Sequence, residues 1–453
     1  MDGPRTSREV ALEVLHRVDA DRAFSGTLLH HLLDHAGLSA PEEALATELT
    51  YGTLRHRAEV DWALERCLRT PLDDLPSRIR TVLRMGAYQL LFLDRIPPSA
   101  ACFEAVEQAK RVGHRGTARL VNAVLRRVAA ADVAIPRDES TAEGIALRHS
   151  HPAWLVRRWV ERFGVDGARA LCRADNRTPP ASIRLNTLRA APAAGAARLA
   201  EMGIRTDPSA LLPEGRRVFD APQAARRAAY AAGWFSPQDE GSMLVSRLVA
   251  PVPGETVIDA CAGSGGKTTH LAALMENRGR ILACDTAPAK LEALSRHAAR
   301  VGATIIEGVH CDAARLGEQY PGFADRVLVD SPCSGLGVLA RRPEIRWRVG
   351  PDQLPGLGAR QRELLAGAAG AVRPGGLLVF AVCSLEPDEG PAAAAWFLDA
   401  HRDYEPDPIR GWPPGNGDDP APAPARGGPG TAFLYPHVHD TDGFFVAAFR
   451  RRR

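Results

Sequence analysis

The stretch "DACAGSGGKTTH", residues Asp259–His270, follows the apolar run "TVI" and holds three glycines within four residues. A phosphate-binding P-loop requires a glycine, four further residues, and then glycine, lysine and serine or threonine. Gly266, Lys267 and Thr268 supply the end of that pattern, but its opening position is Cys261. The spacing also differs from the G-x-G-x-x-G fingerprint of dinucleotide-binding folds. The stretch therefore predicts a tight strand-to-helix turn that holds a ligand other than a phosphate, with a plain turn as the alternative.

Strands and helices alternate around this turn, from Trp234 towards the end of the chain. The predicted strands are "TVIDAC", "GRILACD", "TIIEGVHCD", "ADRVLVDSPC" and "GGLLVFAVCS". The predicted helices between them include "KTTHLAALM", "PAKLEALSRHAARVG" and "RQRELLAGAAGAV". Because strands that are joined by helices pair in parallel, residues 236–453 predict a doubly wound, Rossmann-like α/β domain.

Polar side chains stand at the ends of these predicted strands. Asp259, Asp285 and Asp330 end three of them, Asp312 ends another, and Cys383 ends the last. The carboxyl ends of parallel strands meet at the sheet edge where ligands bind. Asp285 follows the glycine turn by about 20 residues, a spacing that suits a hydrogen bond to a ribose 2′-hydroxyl. Without a phosphate fingerprint, the sequence favours a nucleoside without a pyrophosphate, and S-adenosylmethionine is such a ligand.

The rest of the chain predicts two further domains. Apolar residues recur at helical spacing in "SREVALEVLHRV", "SRIRTVLRMGAYQLLFL", "SAACFEAVEQAKRV" and "RGTARLVNAVLRRVA". Residues 1–135 therefore predict an all-α domain. Residues 151–235 combine a helical stretch with the alternating run "ASIRLNTLR", which predicts a small α+β module. We expect three domains, over residues 1–135, 151–235 and 236–453.

Composition excludes several protein classes. Hydrophobic residues make up 45% of the 453 residues and charged residues 25%, as in soluble globular proteins. The start "MDGPRTSREV" lacks the apolar core of a signal peptide, and no apolar run reaches the ~20 residues of a membrane helix. The eight cysteines form no C-x-x-C pair, so neither a metal site nor a disulfide framework is predicted. We expect a reduced, cytoplasmic protein with no membrane contact.

Charge is unevenly distributed along the chain. Residues 151–235 hold 14 basic and 7 acidic residues, a net charge of +7, whereas residues 1–150 have a net charge of −1. A basic segment of this kind predicts a polyanionic partner, with a solvated arginine face as the alternative. The candidate contacts to a nucleic-acid backbone are Arg157, Arg158, Arg184, Arg226 and Arg227, with Arg126 and Arg127 on the last N-terminal helix.

Two cysteines stand directly after predicted strands, each followed by serine. They are Cys333 in "DSPCSGLGVL" and Cys383 in "FAVCSLEPDEG". A single cysteine is usually a small buried hydrophobic residue. Two Cys-Ser pairs at the ligand-binding edge of one sheet instead predict thiol chemistry. The spacing alone leaves open which of the two is the nucleophile.

These motifs together carry a family resemblance. The chain resembles the bacterial RNA 5-methylcytosine methyltransferases, within them the group that methylates small-subunit ribosomal RNA, from about Thr6 to Phe449. The resemblance rests on "DACAGSGGKTTH", "CDAARL", "DSPCSGLGVLARRPEIRW", "FAVCSLEPDEG" and "PHVHDTDGFFVAAFRR". The N-terminal "DWAL", "MGAYQLLFLDRIPPSAA" and "LVNAVLRRV" resemble the helical domain of the antitermination factor NusB. The departures from the family pattern are Gly263-Ser264 for Ala-Pro, Ser331 for alanine and Val382 for threonine.

The resemblance implies a role for each candidate site residue. Cys383 corresponds to the family nucleophile and Cys333 to the cysteine that aids product release. Asp330 and Lys267 are expected near the target base. The residues expected to hold S-adenosylmethionine are Cys261, Ala262, Gly263, Ser264, Gly265, Gly266 and Lys267 of the turn, with Asp285 at the ribose, Asp312 near the adenine, and Asp330. No metal is implied.

The resemblance also implies a substrate. The family target is cytosine 967 of 16S ribosomal RNA, reached in an unassembled or partly assembled small subunit. No obligate protein partner is expected. The alternatives are methylation of tRNA or 23S ribosomal RNA, and a non-catalytic RNA-binding assembly factor. The stretch from Pro406 to Gly430, rich in proline and glycine, predicts a disordered surface insertion without an assigned function.

Overall fold

The computed structural model describes residues 6–130, 135–413 and 428–453. Most of the predicted proline- and glycine-rich insertion lies outside these residues. The chain forms two compact units. One consists of Met1–Arg177 with Leu339–Val349, and the other of Thr178–Val338 with Gly350–Arg453. The predicted division at residues 1–135, 151–235 and 236–453 stays a prediction.

The first unit is helical in the part of the chain that the structure describes. Its helices are α1 (Ser7–Ala20), α2 (Ser25–Ala36), α3 (Ala40–Arg55), α4 (Arg57–Cys67), α5 (Ser77–Phe92), α6 (Pro98–Val112), α7 (Arg115–Ala130), α8 (Ala142–Arg148) and α9 (Ala153–Asn176). Side-chain caps fix several helix starts: Thr6 Oγ1 accepts the Glu9 N–H, and Ser39 with Glu42 forms a capping box at α3. The apolar faces of α1–α7 enclose one core, as the helical spacing predicts.

The segment Leu339–Val349 packs among these helices. Glu344 is 1% exposed, and its carboxylate accepts the Ser25 N–H at 3.1 Å and the Ser25 Oγ–H at 2.8 Å. Arg346 is fully buried and donates to Ser150 O at 3.0 Å and to Asn176 Oδ1 at 2.8 Å. These buried polar contacts make the segment an integral part of the helical unit.

The second unit contains a small antiparallel sheet of order β2-β3-β1-β4. Its elements are β1 (Ala181–Leu185), α10 (Pro192–Glu201), β2 (Arg205–Pro208), β3 (Gly215–Asp220), α11 (Gln223–Ala231) and β4 (Phe235–Pro237). Ile183, Leu199 and Phe235 belong to its separate apolar core. The predicted α+β module is thus confirmed.

The second unit also contains a large mixed sheet of order β10-β12-β9-β8-β5-β6-β7, with β11 paired to β12. The elements are α12 (Glu240–Val249), β5 (Thr256–Asp259), α13 (Gly266–Leu274), β6 (Arg280–Asp285), α14 (Pro288–Val301), β7 (Ile306–His310), α15 (Leu316–Gln319), β8 (Ala324–Asp330), α16 (Leu354–Ala369), β9 (Val372–Val382), α17 (Gly390–Ala400), β10 (Tyr404–Pro406), β11 (Thr431–Leu434), α18 (Pro436–His439) and β12 (Phe444–Arg451). Strands β5–β9 pair in parallel, and β12 is antiparallel to β9.

The strand order places a topological switch between β5 and β8. From β5 the chain runs outward through β6 and β7, and then returns to β8 and β9 on the other side. Open α/β sheets bind ligands at this kind of crevice. The Rossmann-like prediction is confirmed, and the glycine turn follows the strand at the switch. No helix among the described residues is long and apolar enough to cross a membrane.

Candidate active site

The glycine turn joins β5 to α13 as a tightly bonded loop. Ala260 donates its N–H to Leu328 O of β8, and Ala262 donates to Cys284 O of β6, both at 2.8 Å. The turn is therefore fastened to both neighbours of β5. Gly265 has a φ of +86°, and a Cβ there would lie 2.9 Å from a leucine side chain of α14. Glycine is required at this position by both conformation and space.

Asp259, at the end of β5, stabilises the turn through a hydrogen bond to the helix that follows it. Its side chain is 1% exposed, and Oδ2 accepts the Thr268 Oγ1–H of α13 at 2.7 Å. Burial raises the pKa of Asp259 to about 7. This carboxyl group links the strand to the helix that follows and is closed off from solvent.

Asp285, at the end of β6, is tied to the same turn. Oδ2 accepts the Gly263 N–H at 3.0 Å, and Oδ1 accepts the Ala287 N–H at 2.9 Å. Gly263 has a φ of +56° and open space where a side chain would stand. The fixed carboxylate of Asp285 can accept hydrogen bonds from ribose hydroxyls, and the open turn at Gly263 allows a nucleoside to approach the backbone closely.

Asp312 lies two residues beyond the end of β7. Its two carboxylate oxygens accept from Arg360 of α16 at 2.7 and 2.8 Å, and this hydrogen bonding lowers the pKa of Asp312. The side chain is 36% exposed, so it remains accessible at the sheet edge. The sequence did not single out Arg360, because its pairing with Asp312 joins residues 48 positions apart.

Lys267 and Asp330 form an ion pair across the switch point. Lys267 Nζ donates to Asp330 Oδ2 at 2.6 Å. Burial disfavours the ammonium form, but the Asp330 carboxylate outweighs it, and the pKa of Lys267 is raised above its ordinary value. The negative charge of a Cys383 thiolate acts on Lys267 in the same direction. The first residues of α13 therefore place a cation beside the end of β9.

The two cysteines are brought together, as the sequence predicts. Cys333 Sγ lies 3.3 Å from Cys383 Sγ. The reason is the pairing of β8 with β9, in which Asp330 is opposite Ala381. Cys333 lies three residues after the end of β8 and Cys383 directly follows β9, so both cysteines lie at the same edge of the sheet. The hydrogen bond to Cys383, together with burial, raises the pKa of the Cys333 thiol well above its ordinary value.

A glutamate that sequence reasoning missed joins the two cysteine loops. Glu389 Oε1 accepts the Ser334 N–H at 2.8 Å, and Oε2 accepts the Ser334 Oγ–H at 2.5 Å. Ser384 Oγ also donates to Oε2, and Gln361 Nε2 lies 3.3 Å from Oε1. Both serines of the Cys-Ser pairs thus bind one carboxylate. The serine that follows each cysteine was the only feature of these motifs that could have indicated a shared hydrogen-bond partner.

The loop after Cys333 requires glycine where it meets the loop after β9. Gly337 donates its N–H to Cys383 O at 2.9 Å and accepts the Gly443 N–H at 2.7 Å. A Cβ at Gly337 would lie 2.2 Å from Gly443 O. The "SGLG" sequence therefore allows three backbone segments to meet beside the thiols.

The structure corrects the prediction that Arg184 contacts a nucleic-acid backbone. Its side chain is buried, with 4% of the residue exposed, and a phosphate cannot reach it. Arg184 donates to Gly266 O at 2.8 Å and to Thr269 Oγ1 at 2.9 Å, and it also contacts Gln238. Burial lowers the pKa of Arg184 to about 9. A strand of the small sheet thus stabilises the start of the glycine-turn helix.

The other candidate arginines have different surroundings. Arg157 is paired with Glu143 at 2.7 Å, and Arg127 donates to Cys67 O at 3.0 Å. Arg226 and Arg227 of α11 are exposed. Their role in binding stays a prediction.

The candidate residues at the strand ends therefore share one sheet edge. Cys261, in the turn, has its pKa raised by burial and then by the charges of Asp259, Asp330 and Asp285. The arrangement fits a nucleoside-containing ligand, because an open backbone turn and fixed carboxylates lie beside a reactive thiol pair. Within the described ranges, no group of three or more histidine, cysteine or acidic side chains could hold a metal ion.

Comparisons with known families agree with this architecture. Residues 246–450 match the family described as 16S rRNA methyltransferase RsmB/F. Residues 5–130 match the NusB family, and residues 151–222 match the ferredoxin-like domain of RsmF/B-like methyltransferases. The matches to the three segments follow one another along the chain in the order that the sequence predicts.

Full-length relatives decide the family. The chain is 34% identical over 449 residues to the probable ribosomal RNA small subunit methyltransferase B of Bacillus subtilis, covering 98% of both chains. The chain belongs to the ribosomal RNA small subunit methyltransferase B family. Another relative, from Escherichia coli, is 30% identical over 411 residues, which cover 89% of this chain and 92% of that protein. The predicted family is thus confirmed.

A solved structure has the same fold. The crystal structure of the protein PH0851 superposes with a TM-score of 0.85 and 27% sequence identity, covering 100% of both chains. As a member of the methyltransferase B family, the protein is an S-adenosylmethionine-dependent RNA methyltransferase. The predicted nucleoside-containing co-substrate agrees with this activity.

Proposed function

We propose that the protein methylates carbon 5 of a cytosine in 16S ribosomal RNA through a covalent adduct with Cys383. The observation that carries this proposal is the 3.3 Å separation of the Cys333 and Cys383 sulfur atoms beside the Lys267–Asp330 pair. A methyltransferase that acts on a nitrogen or an oxygen atom needs no thiol. Two thiols at the ligand-binding edge suit a reaction in which the base must be activated covalently.

Cytosine carbon 5 is a weak nucleophile because its electrons belong to the aromatic ring. Addition of the Cys383 thiolate to carbon 6 forms a sulfur–carbon bond and makes carbon 5 resemble an enamine carbon. S-adenosylmethionine supplies an electrophilic methyl group on sulfur. Carbon 5 would take that methyl group as the bond between methyl and sulfur breaks and S-adenosylhomocysteine leaves. The proton on carbon 5 would then pass to water, and the bond between carbon 6 and Cys383 would break, which restores the ring and returns the Cys383 thiolate.

The neighbouring residues support each stage of this sequence. The Lys267 ammonium would attract the Cys383 thiolate, whose negative charge raises the pKa of Lys267. The Asp330 carboxyl group would hydrogen-bond the polar edge of the base. The Cys333 thiol, which is held protonated, donates a hydrogen bond to the sulfur of Cys383 as it departs.

The residues that hold S-adenosylmethionine are proposed to be those of the glycine turn and the strand ends. The backbone of Cys261–Lys267 would contact the methionine part, and Asp285 would accept from the ribose hydroxyls. Asp312, fixed by Arg360, would lie near the adenine. The target base must leave its stack to reach a thiol, so we propose a single-stranded or loop segment of the small-subunit RNA, with cytosine 967 as the position.

Bisulfite sequencing of ribosomal RNA tests the proposal. Cells that lack the protein should lose one 5-methylcytosine from 16S ribosomal RNA, and the intact gene should restore it. A gene that encodes Cys383→Ala should not restore it. Loss of a mark from tRNA or from 23S ribosomal RNA instead would overturn the substrate, and an unchanged set of marks would favour the non-catalytic alternative.

A further inference from the structure

The two thiols of the site lie in opposite electrostatic surroundings. Cys383 is close to the Lys267 ammonium, whose pKa its negative charge raises. Cys333 is close to the Glu389 carboxylate, whose charge raises the pKa of the Cys333 thiol after the larger effects of its hydrogen bond to Cys383 and of burial. The sequence motifs are nearly symmetrical, Cys-Ser in both loops, so the asymmetry comes from the fold.

Glu389 has the contacts of a fully bonded, buried carboxylate. It is 0% exposed and receives hydrogen bonds from the Ser334 N–H, two serine hydroxyls and a glutamine amide. Among the described residues, no lysine, arginine or histidine forms an ion pair with it. Four hydrogen bonds therefore converge on its two oxygens.

The hydrogen bonds of Glu389 also set the distance between the two loops. Ser334 and Ser384 each follow one of the cysteines, and their hydroxyl oxygens lie 3.1 Å apart on the same carboxylate oxygen. Any movement of one loop relative to the other would break these contacts. The sulfur atoms of the two cysteines that precede these serines lie 3.3 Å apart.

We propose that Glu389 is a positioning residue that holds the two cysteine loops together and keeps Cys333 as the neutral thiol, so that Cys383 alone forms the reactive thiolate. This inference rests on the proposed function and deepens it, because it supplies the physical reason why two similar Cys-Ser pairs have different roles. A second thiolate 3.3 Å from the first would repel it and would compete for the base.

Alkylation of the folded protein tests the inference without RNA or S-adenosylmethionine. Iodoacetamide reacts with thiolates, and Arg341 separates Cys333 from Cys383 in a tryptic digest. In the wild-type protein at pH 7.5, Cys383 should react much faster than Cys333. In Glu389→Gln, which keeps the shape but removes the charge, the ratio of Cys333 to Cys383 modification should rise by about tenfold, the effect of one pKa unit.

Glu344→Gln is the matched control. Glu344 is also a buried carboxylate bonded to a serine hydroxyl and a backbone N–H, but it belongs to the helical unit. Its substitution should leave the alkylation ratio unchanged at a comparable loss of melting temperature. Ser384→Ala removes one of the hydrogen bonds to Glu389 and leaves the charge, so it should raise the ratio less than Glu389→Gln.

An unchanged ratio in a folded Glu389→Gln protein would overturn the inference, as would an equal rise in Glu344→Gln. If Glu389→Gln does not fold, a rise in Ser384→Ala of threefold or less, about half a pKa unit, supports the charge effect, and a rise of about tenfold overturns it. The proposed function is judged separately, by methylation in Cys383→Ala. If Cys383→Ala still methylates RNA while Glu389→Gln changes the alkylation ratio, the proposed function is wrong. The effect of Glu389 on the two thiols then still stands.

Discussion

Asp330 and Lys267 form a 2.6 Å ion pair between the end of β8 and the first turn of α13. This pair joins the strand that leads to Cys333 with the helix that follows the glycine turn. The proposed cofactor site and the thiol pair therefore lie at the same edge of the large sheet and are joined by this ion pair. Substitutions in the thiol pair should affect methyl transfer, whereas substitutions in the proposed cofactor site should affect the affinity for S-adenosylmethionine.

Cys383→Ala should abolish methylation and leave the affinity for S-adenosylmethionine nearly unchanged, because the thiol is needed for attack on carbon 6 and not for the cofactor. Calorimetry and a tritium-transfer assay measure the two quantities. Cys333→Ala should instead accumulate a covalent protein–RNA adduct that migrates slowly on a denaturing gel. Normal turnover in Cys333→Ala without an adduct would remove Cys333 from product release.

Asp285→Ala should weaken S-adenosylmethionine binding by roughly 1–3 kcal/mol, because ribose hydroxyls lose a charged acceptor and the Gly263 N–H loses its partner. Asp325→Ala is the control. Asp325 also accepts a backbone N–H, that of Thr256 at 2.8 Å, but at the opposite end of the strands. Equal affinities in the two variants, measured by calorimetry, would show that the ribose lies elsewhere.

Arg184→Ala should destabilise the protein and weaken S-adenosylmethionine binding without changing the salt dependence of RNA binding. The substitution leaves Gly266 O and Thr269 Oγ1 without their buried donor, at a cost of about 1–3 kcal/mol in the free energy of unfolding. Thermal unfolding and RNA titrations at several salt concentrations measure both effects. A shallower salt slope with unchanged stability would return Arg184 to the RNA-binding surface.

His297 should make the stability depend on pH. Burial lowers the pKa of His297 to about 4, and its ring bonds Ser236 Oγ at 2.9 Å. The unfolded chain, with a pKa near 6.5, binds more protons between pH 6.5 and 4, so the contribution to stability is lost as the pH falls through that window.

Comparison with His297→Gln isolates this contribution, because glutamine keeps hydrogen bonding and does not titrate. The unfolding free energy of the wild-type protein relative to the variant should fall by on the order of 1–3 kcal/mol between pH 7 and pH 4. Denaturant titrations at several pH values measure it. A constant difference would mean that His297 keeps an ordinary pKa in the folded protein.

The sequence predicted the residues at the strand ends because side chains there follow directly from strand order. Asp285, Asp330 and Cys383 needed only the rule that parallel strands end at one edge. The strands β10–β12 were not predicted, since β12 pairs antiparallel with β9 while β10 and β11 pair antiparallel with β12, and these pairings leave no strand–helix alternation to detect.

The sequence alone could not predict the contacts of residues whose partners lie far away along the chain. Arg184 alternates with Ile183 and Leu185 and so was expected to face solvent, but the strand is buried on both sides. Glu389 lies 55 positions from Ser334, and no local pattern reports that contact. In both cases a buried polar group depends on how the surrounding elements pack.

Three arginines of α7 form a stripe on the helical unit. Arg115, Arg119 and Arg126 are exposed and fall on one face of the helix by their spacing. No described residue forms a hydrogen bond or an ion pair with their side chains. Phe103 of α6, which is 62% exposed, lines a groove of about 520 Å³ together with Arg126. Unpaired arginines beside an exposed aromatic ring suit a single-stranded RNA backbone and its bases.

Salt dependence distinguishes this stripe from the basic module as the main RNA contact. Each phosphate contact contributes about 0.7 to the log–log slope for single strands. Arg115→Ala/Arg119→Ala/Arg126→Ala should therefore reduce the slope by about 2, whereas Arg226→Ala/Arg227→Ala should reduce it by about 1 or less. The smaller effect is expected because only two arginines are removed, and the basic module gives them little further support where its other arginines are engaged with acids, as Arg205 is with Asp220. Phosphate contacts position RNA without altering chemistry, so single-turnover methylation of bound RNA should stay the same in both variants. A larger loss of slope in the Arg226/Arg227 variant would place the RNA backbone on the basic module instead.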